Sequence, residues 1–156
     1  MAKFPTEVEQ SVTVQVPLAK VYKHLWDVVG SSRYIPGLAG CERVAKDTYR
    51  FTYDEKAKGP VKLVVRYTVR YTGNGTNEIT FECTGAQDDN TDASGTFRLK
   101  PHGDKATRIA LRQMVAPEVP IPRLMQSLIK PFVEREAADG VREYLANVKR
   151  GLEGKA

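Results

Sequence analysis

The stretch Val61–Thr72, VKLVVRYTVRYT, constrains the fold more than any other part of the chain. Val61, Leu63, Val65, Tyr67, Val69 and Tyr71 alternate with Lys62, Val64, Arg66, Thr68 and Arg70. A period of two is the spacing of a strand with one buried face, whereas a helix would scatter these residues around its axis. Gly73-Asn74-Gly75 follows at once and has the chemistry of a hairpin turn. This segment therefore predicts one long strand of an antiparallel sheet whose inner face carries aliphatic and tyrosine side chains.

The same alternation marks other segments. Residues 7–16 place Val8, Val12, Val14 and Val16 on one face, and residues 48–55 do the same with Tyr49, Phe51 and Tyr53. Residues 40–46, 77–84 (Ile79, Phe81, Cys83), 91–100 (Ala93, Phe97, Leu99) and 105–116 (Ile109, Leu111, Gln113, Val115) complete the strands. Turns fall at Asp47, Gly59-Pro60, Gln87–Asn90 and Pro101–Asp104. Two regions change period. Residues 17–28 are predicted as a helix opening at Pro17, followed by a short helix or turn over Ser31–Ile35 that stops at Pro36-Gly37.

Pro117, Pro120 and Pro122 predict a stiff connection to a long helix over residues 121–150. Its apolar stripe reads Ile121, Leu124, Met125, Leu128, Phe132, Val141, Tyr144, Leu145 and Val148. Pro131 is expected to kink or split it, and Ala137, Ala138 and Gly140 to thin its middle so that it lies close to the sheet. The order β-α-α-β6-α predicts a single α+β domain over residues 1–156. A curved antiparallel sheet of about seven strands wraps around the long C-terminal helix.

The 156 residues carry 24 basic and 19 acidic side chains, a net charge of +5. From Lys56 to Arg70 there are bases and no acid, so Lys62, Arg66 and Arg70 form either a solvated strand face or a contact for an anionic membrane or an acidic protein. Nucleic-acid binding is not expected, because no outward aromatics interleave with these bases. No secretory start or membrane-spanning run is visible, and the two separated cysteines, Cys41 and Cys83, fit free thiols in a reducing cytoplasm.

The order of elements, with three short motifs, resembles the START-like (SRPBCC) helix-grip superfamily, which includes START domains, pollen-allergen-type ligand carriers and polyketide cyclases. The likeness covers about residues 7–150. Ile35-Pro36-Gly37-Leu38-Ala39-Gly40-Cys41-Glu42-Arg43-Val44 resembles the PGC-E-V turn of the CoxG-like group, proteins associated with carbon monoxide dehydrogenase. Lys58-Gly59-Pro60-Val61-Lys62 and Ala93-Ser94-Gly95-Thr96-Phe97-Arg98-Leu99 are similar to two further motifs of that group. The resemblance implies a hydrophobic tunnel between sheet and helix that holds a lipid, sterol, quinone-like molecule or polyketide. Arg33 and Tyr34 would rim its mouth.

The residues themselves offer little catalytic apparatus. His24 and His102 lack a ligand cluster or a nucleophile partner, and neither cysteine sits beside an obvious base. No metal, cofactor or catalytic residue is assigned. Tyr49, Tyr53, Tyr67, Tyr71 and Gln113 share the inward face, and a buried hydroxyl or amide needs a partner. Either these groups reach water at strand ends, or they orient a ligand against an apolar wall. Residues expected to line such a site are Tyr34, Tyr49, Phe51, Tyr67, Tyr71, Phe81, Phe97, Gln113, Leu124, Leu128 and Phe132. Carriage of an apolar small molecule is the first expectation. A cyclase or dehydratase using Tyr67, Tyr71, Gln113, Glu55 or Arg33 is the second, and a protein-interaction module with a filled core the third.

Overall fold

The computed structural model describes residues 2–58, 61–86, 89–119 and 121–154. The predicted Gly59-Pro60 turn, Gln87-Asp88 and Pro120 lie outside the described residues. In chain order the elements are β1 (Ala2–Lys3), β2 (Thr6–Val14), α1 (Leu18–Trp26), α2 (Val28–Ser31), β3 (Leu38–Ala45), β4 (Thr48–Tyr53), β5 (Lys56–Lys58) and β6 (Val61–Leu63). Then come β7 (Arg66–Gly73), β8 (Glu78–Cys83), β9 (Thr91–Pro101), β10 (Thr107–Val119) and α3 (Gln126–Leu152). A 3-10 turn, Ser32–Tyr34, follows α2, and another, Arg123–Met125, leads into α3.

The main sheet is antiparallel throughout. From β3 it runs through β4, β7, β8 and β9 to β10, and β1 and β2 both pair with the far edge of β10. Counted as edges, β1 and β2 share one position, so the sheet has the seven positions the pattern predicted. It is open, and α3 lies across its inner face. The result is an α+β helix-grip fold.

The alternation reads true through most of the sheet. Val14, Val69, Ile79 and Ile109 are fully buried, with Phe51, Phe81, Phe97, Leu99 and Leu111 beside them. The turn at Gly75 takes a left-handed φ of +80°, which glycine adopts without strain. Asn74 Oδ1 accepts from the N–H groups of Thr76, Asn77 and Glu78 and closes the hairpin. Pro17 starts α1 in extended geometry, and the Asp27 carboxylate caps α2 through the Gly30 N–H.

Three expectations are corrected. Residues 61–72 are two strands. The break at Val64-Val65 is filled by a side chain: Asn90 Nδ2 donates to the Val64 carbonyl (2.8 Å) and Oδ1 accepts from the Arg66 N–H (2.9 Å). That side chain supplies the hydrogen bonds a strand neighbour would have made. β6 leaves the sheet and pairs only with β5 as a separate ribbon. Lys62 therefore stands on the ribbon, apart from Arg66 and Arg70 on β7.

Second, α3 is neither split nor terminated at Pro131. Pro131 falls in the second turn, where its missing N–H forfeits a single bond to the Ser127 carbonyl.

Third, Leu124 and Leu128 do not face the sheet; they are 92% and 72% exposed. The inner face at this level is Ile129 and Val133, which close a second core cluster with Phe4 and Val119. Leu128 lies about 100° around the helix from Ile129.

The two ends of α3 are held differently. At its C-terminal end, Asn147 Nδ2 donates to the Tyr34 carbonyl (3.0 Å), Lys149 Nζ to the Thr13 carbonyl (2.9 Å), and Glu153 accepts from the Gln15 N–H (2.8 Å). Val141, Leu145 and Val148 pack into the main core. Among the described residues no helix is long and apolar enough to cross a membrane.

Candidate functional site

Between the sheet and the middle of α3 lies a cavity of ≈ 200 Å³. Its wall is built by alternation: Phe51, Tyr67, Tyr71, Phe81, Phe97, Leu111 and Val115 all project inward from successive strands. The aromatic rings form a chain across the floor. Tyr49 meets Tyr71 edge-on at 5.6 Å, Tyr71 stacks on Phe81 at 5.5 Å, and Phe97 lies 6.1 Å from Phe81 and 6.3 Å from Tyr144 of α3. Such spacings are those of attractive ring pairs.

Small residues create the space. A Cβ on Gly95 would stand 2.5 Å from the Phe81 ring and 2.7 Å from the Arg112 carbonyl, so Gly95 is what lets that ring lie across β9. Gly140 faces the cavity, and a Cβ there would meet nothing within 4 Å. Ala137 adds to the gap. The small residues of α3, expected to bring helix and sheet together, leave a void between them.

The polar groups inside are few. The Tyr53 and Tyr67 hydroxyls hydrogen-bond at 2.9 Å. Those of Tyr71 and Tyr144, and the Gln113 amide, line the cavity with no hydrogen-bond partner among the described residues. Tyr144 is a buried residue at 9% exposure. Burial raises the Tyr53 hydroxyl to about 12 and holds those of Tyr67, Tyr71 and Tyr144 still further above the usual tyrosine range. All four stay protonated at neutral pH and act there as hydrogen-bond donors.

The rim is acidic, although the chain as a whole is basic. Asp54 from the β4–β5 turn and Glu136, Asp139 and Glu143 from α3 stand around it, with Lys56 as the basic member. Lys56 Nζ reaches Glu136 at 2.6 Å and ties the ribbon to the helix. Ile35 and Pro36 complete the edge.

Of the residues expected at the site, Phe51, Tyr67, Tyr71, Phe81, Phe97 and Gln113 come together here. Tyr49 stands behind Tyr71 as a supporting ring. Tyr34 is not in the lining: its ring packs where a Gly151 side chain would be, under the Arg33 guanidinium at 4.9 Å, and it secures the C-terminal end of α3. Phe132 belongs to the second cluster, while Leu124 and Leu128 face solvent. Glu55 is exposed and not part of the lining. Sequence reasoning put Tyr53 on the inward face but left it out of the expected lining, which it joins. It also missed Tyr144, Gly140 and the rim carboxylates. Helical spacing had placed Tyr144 on the inner stripe, and its position opposite the strand aromatics was the available signal.

Burial pushes the Cys41 thiol up to about 11, against the Ser32 hydroxyl, which pulls it down. This leaves it a weak nucleophile at neutral pH. Cys83 contacts Asp92 at 3.8 Å.

The fold recurs widely among solved structures. A protein from Thermus thermophilus is 19% identical with a TM-score of 0.70, over 96% of this chain and 99% of that one. A START superfamily protein from Mycobacterium smegmatis is 15% identical with a TM-score of 0.70, over 96% and 99%. The Zhui aromatase/cyclase from Streptomyces sp. R1128 is 17% identical with a TM-score of 0.63, over 94% of both chains. At these identities the likeness is one of fold. No curated protein matches. The family model for polyketide cyclase/dehydrase and lipid transport matches residues 5–153, nearly the whole chain, and with the helix-grip architecture this makes the protein a member of that family.

Proposed function

We propose that the protein binds and carries a small, uncharged, largely planar molecule in the cavity between sheet and α3. The observation that carries this reading is the combination of an aromatic wall with three inward polar groups, Tyr71, Tyr144 and Gln113, that none of the described residues satisfies. Small-molecule sites pair an apolar wall with a few polar groups that fix the ligand, and a ligand bearing oxygen acceptors would pair with these three. The volume is below the ~300–1,000 Å³ of drug-sized pockets, which favours a compact ring system, or a longer molecule with one end outside. The acidic rim disfavours anionic ligands such as free fatty acids, so a neutral quinone-like or phenolic molecule fits better.

A second reading is supported by the likeness to an aromatase/cyclase and by the same hydroxyls. A bound polyketide could be folded against the aromatic wall and protonated by Tyr71 or Tyr144. The raised tyrosine pKa values favour donation over abstraction by these hydroxyls. Carriage therefore stands first.

Native mass spectrometry of the purified protein tests the proposal, followed by denaturing release and identification of any small molecule. A neutral apolar molecule at unit stoichiometry is expected, and adding it back to stripped protein should raise the melting temperature. A released molecule whose mass changes on incubation with fresh protein would favour the enzyme reading. A stripped protein whose melting temperature no quinone, phenol, sterol or polyketide shifts would overturn both.

A further inference from the structure

Leu124 and Leu128, at 92% and 72% exposure, are the two most exposed large apolar side chains of the described residues. They stand one helical turn apart where the 3-10 turn enters α3. A single exposed leucine is ordinary, but two at this spacing form a continuous ridge.

Between Glu118 and Glu134 the charges nearest the ridge in sequence are basic, and on the ribbon Lys56 is already taken up by Glu136. Residues 119–133 contain Arg123 and Lys130 and no acid, and residues 56–63 contain Lys56, Lys58 and Lys62 and no acid. The ribbon lies at the same end of the molecule as the ridge. Val65, just past β6, packs in the cluster that includes Ile121, Met125 and Phe132, and β6 touches β10. The acids of α3 begin only at Glu134. The helix thus runs from a basic, leucine-bearing start to the acidic cavity rim.

A second copy of the chain is a poor occupant, because two leucines fall far short of the ~800 Å² that each partner buries in a standard interface. Nucleic acid would use the bases but not the leucines. A bilayer with anionic headgroups uses both: hydrocarbon takes the ridge and phosphates take the exposed Lys62 and Lys130. We propose that the start of α3 and the β5–β6 ribbon form a docking surface for an anionic phospholipid bilayer. This goes beyond the cavity reading and rests on the ridge rather than on any ligand, so the two can fail separately.

Co-sedimentation of the full chain with phospholipid vesicles tests it, using phosphatidylcholine alone and an equimolar mixture with phosphatidylglycerol. The protein should pellet with the mixed vesicles, about tenfold more weakly with phosphatidylcholine alone, and less as salt rises. L124S/L128S should lose about tenfold on the mixed vesicles with its melting temperature unchanged, since both side chains are exposed. K62E/K130E should lose a similar factor. No pelleting with the mixed vesicles would overturn the proposal, as would L124S/L128S behaving like the parent. A dimer in sedimentation velocity that L124S/L128S dissolves would also overturn it and assign the ridge to a second copy.

Discussion

The hydroxyls of Tyr53 and Tyr67 lie 2.9 Å apart inside the cavity, one from β4 and one from β7, and each is the other's partner. Replacing either by Phe leaves a buried hydroxyl unmatched and should cost about 1–3 kcal/mol. Replacing both removes the need for a partner, so the double variant should be more stable than the two single losses sum to. A double-mutant cycle by urea unfolding reads this coupling. Additive losses would mean that each hydroxyl finds water or ligand instead.

Lys56 and Glu136 join the ribbon to α3 at the rim, at 2.6 Å and with half-exposed side chains. An exposed pair of this kind is worth about 0–1 kcal/mol, so K56A should barely move the melting temperature. It should, however, free the ribbon edge of the cavity. For any ligand identified by mass spectrometry, K56A is expected to raise the dissociation rate more than the association rate. Stopped-flow displacement measures both. Equal release rates in K56A and the parent would show that the ribbon does not restrain the ligand.

What the sequence shows of this site, and what it hides, follows from the range of each interaction. Phe51, Tyr67, Tyr71, Phe81 and Phe97 reach the cavity because period-two alternation is local and register carries it across the sheet. The bend at Val64-Val65 was hidden because its cause, the Asn90 side chain, lies 24–26 positions away and forms no pattern with it. The apolar stripe of α3 is continuous in sequence, but the helix turns Ile129 and Val133 inward and leaves Leu124 and Leu128 in solvent. Periodicity gives a face; it does not give the angle at which that face docks. The void over Gly140 was likewise unreadable, since small residues permit either close approach or empty space.

His24 gives a pH signature. Burial lowers its pKa from the ordinary 6.5, with help from the nearby Arg33 charge and against the opposing effect of Asp27. Its ring lies 5.3 Å from Tyr34, and its Nε2 is buried without a partner. The unfolded chain thus binds a proton more readily than the folded one. The stability this contributes is fully present above about pH 6.5 and is lost as pH falls through the lower folded value. H24N should show a flatter decline in melting temperature between neutral pH and about pH 5 than the parent does. Parallel curves for the two proteins would show that His24 does not titrate across that window.

Gly140 sets stability against binding. A glycine inside a helix costs about 0.5–1 kcal/mol relative to alanine, and a Cβ here would meet nothing within 4 Å. G140A should therefore raise the unfolding free energy by about that amount while trimming the cavity slightly. G140L should go further: its side chain would project into the ≈ 200 Å³ void and rest on the aromatic wall. The larger substitution is expected to raise the melting temperature and to abolish ligand retention, as read by native mass spectrometry on protein purified identically. Such a pair of results means that a position able to strengthen the fold is left empty for the ligand. If G140L were instead destabilised, the void would be too narrow for four carbons. If it were stabilised and still held its ligand, the ligand would sit elsewhere than between α3 and the sheet.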